Sequence, residues 1–482
     1  MNKIRSSSYL SFLERAGTVV ITLISVVILS RLLTPEEIGV YSVGMAVISI
    51  SHIFRDFGVG QYLIAERDLT RNRIRAAFTV TAIFSWTIAA LIFLISGVLS
   101  EFYSQPGLKK VLEIVSINFL ILPFGSPAVA LLRRELAFGI LFFVNILSAA
   151  IREITAITLA YSGFGFSSLA WGAVAGIATT VIIVGVIRPR LTFLLPSFRE
   201  LRRPLSFGAN ISAAAVVSEI GMNAGDLILG RMIGFAAVGY YSRALGLMNM
   251  FHQQFMTAAR NVLLPVISQM SRSGEPVEPA YYRAMALVTV CAWPFYTMLF
   301  CMAEPIVMIM FGEQWLRCVP LVRFLAIAGM VGSLFSFAPQ VIIALGEARS
   351  LFRCECIIQT FRVVSIICAG MISLEAVAAS LSLSYLLAFL VYDRALRRRT
   401  GIRISGLFIA VRDSAVVTVF AAILPIVVMT NDIVTSNGWS LAIAMAGALA
   451  GWCLGLRLTG HPAAAEFFVV GKAILSKIGH QS

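Results

Sequence analysis

The residues able to do chemistry in this 482-residue chain are charges set inside long apolar runs. Arg15 sits in a run at 10–31, Arg55 near the end of one at 36–58, and Arg152 within one at 138–161. Arg243 and Arg260 fall in 237–262, and Arg323 in 319–345. Glu219, Asn223 and Asp226 follow one another at i, i+4 and i+7 in a run at 204–230, on one helical face. An ionised side chain at a membrane-helix centre costs about 2.5–3.5 kcal/mol on insertion scales, so each should face water or a partner. Guanidinium is permanently charged and its forked donors match phosphate oxygens. The six arginines are therefore candidate binders of an anionic substrate. A desolvated carboxylate titrates nearer neutral pH. Glu219, Asn223 and Asp226 are thus a candidate ion-coupling set, working on a proton or sodium gradient.

Polar stripes accompany these charges. Glu14, Thr18, Thr22 and Ser25 share one face of the first run, and Asn145, Ser148, Arg152 and Thr155 one face of the fifth. The simplest assembly points them at a shared central cavity. The blander readings are that Arg15, Arg55 and Arg260 snorkel to the surface, and that Glu219 and Asp226 bridge to Arg243 or Arg323. Arg55-Asp56 and Arg152-Glu153 are sequence neighbours about 100° apart on a helix, so neither is expected to pair with itself.

Enzyme chemistry finds little support. There is no P-loop, zinc-protease helix or dinucleotide fingerprint, and four histidines, two of them near the C-terminus, make a poor basis for a triad. The seven cysteines read as small buried hydrophobes. Cys354-Glu355-Cys356 lacks a second ligand cluster, so no metal site and no cofactor are expected. The formal charge of +14 could suggest nucleic acid, but the basic residues lie in short loops between apolar runs, which is topology control.

The elements that must position these groups are membrane helices. With 59% hydrophobic and 13% charged residues, the chain is far from the roughly 25% charged of soluble domains. We expect an all-α integral membrane protein of about fourteen spans. The first six lie at 10–31, 36–58, 76–99, 110–132, 138–161 and 165–187. The next six lie at 204–230, 237–262, 282–303, 319–345, 354–371 and 374–392, and two more at 411–430 and 438–456. The N-terminus reads as an uncleaved first helix. Placing it inside leaves only Arg31, Lys109, Lys110, Arg231 and Arg317 in outer loops, so both termini are expected to be cytoplasmic. Thr34-Pro35-Glu36-Glu37 is a capping box with proline at the first helical position. Its stretch, Ile28–Ser42, recurs without a gap as Ile228–Ser242, matching at Ile28/Ile228, Arg31/Arg231, Gly39/Gly239 and Tyr41/Tyr241 among others. This implies parallel duplicated halves. The expected organisation is a six-helix lobe at 1–187, a basic cytoplasmic linker at 188–203, a second six-helix lobe at 204–400, and helices 13 and 14 with a tail at 401–482.

The run Arg31-Leu-Leu-Thr-Pro-Glu-Glu-Ile-Gly-Val-Tyr, followed by Asp56-Phe-Gly-Val-Gly-Gln, resembles the N-terminal signature of bacterial polysaccharide transporters. These are Wzx-type oligosaccharide flippases of the MATE-like, or MOP, superfamily. The resemblance implies two lobes that rock around a central cavity in the bacterial inner membrane. It implies a cargo of undecaprenyl-pyrophosphate-linked oligosaccharide for exopolysaccharide, O-antigen or capsule assembly. Membrane lipid and the lipid-linked oligosaccharide are then the partners, with the polysaccharide polymerase and chain-length machinery as further candidates, and nucleic acid is not one. The alternatives are a multidrug extruder of the same fold and, further off, a membrane-embedded polysaccharide ligase or polymerase. The arginines argue against the first and the short outer loops against the second.

Overall fold

The computed structural model describes residues 2–56, 59–66, 68–192, 194–198, 200, 212–273, 275–430 and 438–464. All regular elements among them are helical, as an apolar chain requires when lipid can accept none of its backbone hydrogen bonds. In chain order the first are α1 (Asn2–Leu32), α2 (Pro35–Asp56), α3 (Val59–Ala65), α4 (Arg71–Phe102), α5 (Pro106–Ile121), α6 (Ser126–Arg134), α7 (Phe138–Tyr161) and α8 (Phe166–Ile187). Then come α9 (Pro189–Thr192), α10 (Ser212–Met232), α11 (Phe235–Ser273), α12 (Glu278–Cys301), α13 (Ala303–Met310) and α14 (Cys318–Ser333). The last are α15 (Ala338–Ala344), α16 (Ala348–Gly370), α17 (Leu374–Thr400), α18 (Ile404–Thr430) and α19 (Gly438–Thr459).

Over its described residues every expected span coincides with a long helix or, at 110–132 and 319–345, with two in succession; 204–211 of the seventh span lie outside the described residues. Among the described residues nine helices are long and apolar enough to cross a membrane, or ten if one bent pair counts as a span. That pair is the fourth expected span. It is not continuous: Pro106–Phe124 and Ser126–Arg134 meet at 51°. Pro123 and Pro127 flank Gly125, so amide donors are missing and the rings crowd the preceding turn, which breaks the helix there.

The chain packs into two compact units, Met1–Gly239 and Tyr240–Ser482. Within the first, α7 packs on α8 and α1, α4 on α5, and α10 on α2. Because α10 lies along α2, compactness divides the chain beyond the basic linker at 188–203. The described part of that linker is docked: Arg75 Nε and Nη2 donate to the carbonyls of Leu195 and Pro196 at 2.9 and 3.2 Å. The Ser197 N–H donates to Thr79 Oγ1 at 2.8 Å.

The capping box forms as its sequence dictates. The Thr34 N–H donates to Glu37 Oε2 at 2.8 Å and the Glu37 N–H to Thr34 Oγ1 at 3.3 Å. The repeated glycines meet reciprocally. A methyl on Gly39 would overlap the carbonyl oxygen of Phe235, and one on Gly239 the carbonyl oxygen of Pro35. Only glycine allows backbones this close. Identity between the two copies therefore persists where the main chains touch.

In the second unit α12 packs on α18, α18 on α19, α14 on α17, and α16 on α17. The two C-terminal helices are built into this unit. Trp452 Nε1 donates to the Val290 carbonyl at 2.8 Å. Buried Thr289, Ser414 and His461 form a chain: Thr289 Oγ1 donates to Ser414 Oγ at 2.9 Å, and Ser414 Oγ lies 3.1 Å from His461 Nε2.

Candidate functional site: an arginine-bearing cavity in the first unit

A cavity of about 490 Å³ opens beside the broken span in the first unit. Arg55 enters it from the last turn of α2 and Arg133 from the last turn of α6. Gln61 of α3, Thr81 of α4, Ser126 of α6 and Thr180 of α8 add polar groups, while Leu122, Val129, Ile177 and Val181 supply apolar wall. Among the described residues no carboxylate lines it. Local folding explains each placement. The break at Leu122–Gly125 lets α6 set off at a new angle, turning Ser126 and Arg133 inward. Arg134 anchors that angle: it donates to the Leu63 carbonyl at 2.9 Å and to the Glu66 carbonyl, tying α6 to the end of α3. Thr180 is held by Ser148 at 2.8 Å and by the Gly176 carbonyl at 3.2 Å.

A chamber with two guanidinium groups, several hydroxyls and a greasy wall suits an amphipathic anion. The Arg133 side chain makes no hydrogen bond or ion pair among the described residues, so its five donors face the cavity or solvent.

Of the sequence-expected site residues, Arg55 lines this cavity. Arg15 is exposed on α1. Arg152 is not in the cavity and contradicts one expectation: it pairs with its own neighbour, Nη2 to Glu153 Oε1 at 2.6 Å and Nε at 2.9 Å. The 100° offset fixes the Cβ positions, but the long arginine arm swings around the helix to close the gap. Glu153 also accepts from Ser25 Oγ, and Asn145 donates to Glu14 Oε1 at 2.6 Å. The stripes on α1 and α7 thus face and satisfy each other.

Asn223 Nδ2 donates to Glu219 Oε1 at 3.0 Å, joining two of the expected coupling residues along α10. Asp226 Oδ1 is buried with no hydrogen-bond partner, and neither carboxylate forms an ion pair among the described residues. Arg243 stands 5.9 and 5.8 Å from the ring centres of Phe311 and Trp315, a cation–π seat. Arg323 Nε on α14 is buried without an acceptor. The side chains of Arg260 and Asp56 lie outside those described.

Sequence reasoning missed Arg133, Arg134 and α3. The Arg133-Arg134 pair at a span end read as a topology signal only. It also missed the neighbours of Arg362 in the second unit. Glu355, Gln359 and Arg362 stand at i, i+4 and i+7, a spacing that could have revealed a shared face. Among the described residues no three or more His, Cys, Asp or Glu stand together as metal ligands.

Residues 28–320 match a family described as polysaccharide biosynthesis protein. The chain is 22% identical over 357 residues to the lipopolysaccharide biosynthesis protein WzxC of Escherichia coli (strain K12), covering 72% of this chain and 71% of that one. It is 25% identical over 350 residues to the succinoglycan biosynthesis transport protein ExoT of Rhizobium meliloti (strain 1021), covering 71% and 69%. Among solved structures, the lipid II flippase MurJ in an inward closed conformation superposes with a TM-score of 0.74 at 13% identity, covering 94% of this chain and 98% of that one. An inward-facing multidrug resistance MATE family transporter of the MOP superfamily gives 0.64 at 13% identity, covering 79% and 94%. The fold is therefore that of the MATE-like transporters.

Proposed function

The chain belongs to the polysaccharide biosynthesis protein family, and from that premise we propose that it is a lipid-linked oligosaccharide flippase. It is a multi-pass membrane transporter, not an enzyme. In this reading it sits in the bacterial inner membrane with both termini cytoplasmic, and turns undecaprenyl-pyrophosphate-linked repeat units from the inner to the outer leaflet by alternating access. The observation that carries the reading is the cavity in the first unit, where Arg55 and Arg133 share a partly apolar chamber. Arginine forks hold the pyrophosphate or an acidic sugar, hydroxyls of Thr81, Thr180 and Ser126 take sugar oxygens, and the polyprenyl tail stays in lipid. Arg152, half exposed beside Glu153, is a second contact for the sugar chain. Asp226, lacking a hydrogen-bond partner, and Glu219 with Asn223 are the ion-coupling candidates on α10. A multidrug extruder of the same fold would present acidic groups to a cationic drug, and this cavity presents arginines.

A clean deletion strain tests the proposal. It should accumulate finished lipid-linked repeat units on the inner leaflet, and the wild-type gene should clear them. A gene carrying Arg55→Ala and Arg133→Ala, expressed at equal level, should not. A strain that instead accumulates short, unfinished units, or gains drug sensitivity alone, removes the reading.

A further inference from the structure

The second unit buries a polar group that the cavity of the first does not use. Glu355, Gln359 and Arg362 share one face of α16 and are 9%, 7% and 7% exposed. From α17, the Tyr392 hydroxyl donates to Glu355 Oε1 at 2.6 Å, and the Gln359 amide donates to Glu355 Oε2 at 2.9 Å. The Arg362 guanidinium lies 5.2 Å from the centre of the Tyr385 ring. Two atoms of this buried group have no hydrogen-bond partner, Gln359 Oε1 and Arg362 Nε. An acceptor and a donor left over one turn apart are what a single water would bridge.

Tyr392 also lines a void of about 10 Å³, together with Tyr281 of α12, Asp393 of α17, Arg403 ahead of α18 and a remainder of apolar side chains from α17 and its neighbours. That is close to the space one water needs. Asp393 pairs with Arg397 at 3.4 Å, near the basic end of α17. A row of groups able to pass a proton thus runs from Asp393, past a water-sized void, through Tyr392, to a carboxylate over nine-tenths buried.

We propose that Glu355 is a proton-loading residue of the second unit, filled through Tyr392 from the Asp393 end of α17. In the transfer the Tyr392 O–H bond breaks as an O–H bond forms on Glu355 Oε1. The Tyr392 oxygen takes its replacement proton from a hydronium that reaches the adjoining void past Asp393, which leaves a neutral water there. The short O–H···O⁻ bond suits this hop. A metal cation fits poorly, because both Glu355 oxygens already accept donors and the nearby fixed charge is a guanidinium. The remaining titratable or charged groups around the site are Cys354 beside Glu355, Tyr281, Tyr385 and Arg403; α15 brings none, and α14 brings Arg323, whose field reaches Cys301. Loading Glu355 turns one of its acceptor oxygens into a donor, so its bonds to Tyr392 and Gln359 must rearrange, which stresses the α16–α17 packing. That is how a proton would bias a conformational cycle. This consequence rests on the transport reading above; the protonation itself does not.

The test is an infrared pH titration of the full-length protein in liposomes, following protonated carboxyl bands. The wild type should show a band that Glu355→Gln removes and Asp226→Asn leaves. Tyr392→Phe keeps the ring and its packing, so it decides the matter if Glu355→Gln does not fold. The band should persist in Tyr392→Phe but appear at least about tenfold more slowly after a pH jump. A titration identical in wild type and Glu355→Gln, a Tyr392→Phe band as fast as wild type, or a Glu355 response to sodium but not to pH overturns the proposal. If the flippase reading is wrong, the deletion strain accumulates no finished lipid-linked units while this titration stands, so the two failures are distinguishable.

Discussion

The two units handle buried polarity differently. In the first, polar groups pair across helices in modest bonds, as Glu14 does with Asn145 and Ser148 with Thr180, and Arg55 and Arg133 line a cavity of about 490 Å³. In the second, polar groups sink into the packing, Glu355 with Tyr392 and Gln359 and His461 with Ser414 and Thr289, while its larger hollows, about 430–540 Å³, lie around the end of α17 and between α16 and α17 without these groups in their walls. A shared helical architecture can therefore carry one unit with arginines at a cavity and another with a carboxylate and an arginine buried in its packing. Mutations should separate the two: the first unit should lose transport with little loss of stability, the second stability first.

The largest effect is expected in the second unit. Glu355→Ala leaves the buried Tyr392 hydroxyl and Gln359 amide without their acceptor, which costs about 1–3 kcal/mol for each. Denaturant unfolding in micelles measures the loss, and a variant as stable as wild type breaks the comparison. Next come Arg55→Ala and Arg133→Ala. Each removes a charge-assisted contact worth about 1.5–3 kcal/mol, so polymer export should fall roughly 10- to 100-fold with thermal stability nearly unchanged. Export assays at matched protein level decide this.

A smaller effect concerns pH. Burial lowers the pKa of His461 from its ordinary value of 6.5, opposed by the field of Asp413. The Ala463 N–H donates to His461 Nδ1 at 3.1 Å, which requires the neutral ring there. The unfolded chain thus binds the extra proton below pH 6.5, so this contribution is full above that pH and is lost as pH falls. A melting curve measured from pH 8 to 5.5 should decline, and His461→Gln should flatten the decline. The smallest effect is that of Arg152→Ala. Its ion pair is half exposed and worth at most about 1 kcal/mol. Export should fall less than with Arg133→Ala, and an equal fall would move the binding site toward α7.

Much of the fold was legible because membrane helices announce themselves by length and hydropathy. The cap at Thr34–Glu37 and the Gly39/Gly239 match were also readable, since local hydrogen bonding and backbone approach demand particular residues. The site was less so. The 51° break was hidden by continuous apolar sequence, although Pro123 and Pro127 mark it. Arg152 misled because helical angle constrains Cβ atoms, not the tips of long side chains. Arg133 was overlooked because an arginine at a helix end looks the same whether it snorkels or lines a cavity. Glu355 and Tyr392 are 37 residues apart, and nothing local in either helix foretells that their oxygens meet.

Transbilayer movement in a defined system tests the central claim most directly. Purified protein in liposomes is supplied with pyrophosphate-linked polyprenyl oligosaccharide on one face, and exposure of the sugar on the other face is followed with a membrane-impermeant reagent. The account predicts rapid exposure with wild type and roughly 10- to 100-fold slower exposure with Arg133→Ala. Exposure no faster than in empty liposomes, or unaffected by removing both Arg55 and Arg133, would contradict it.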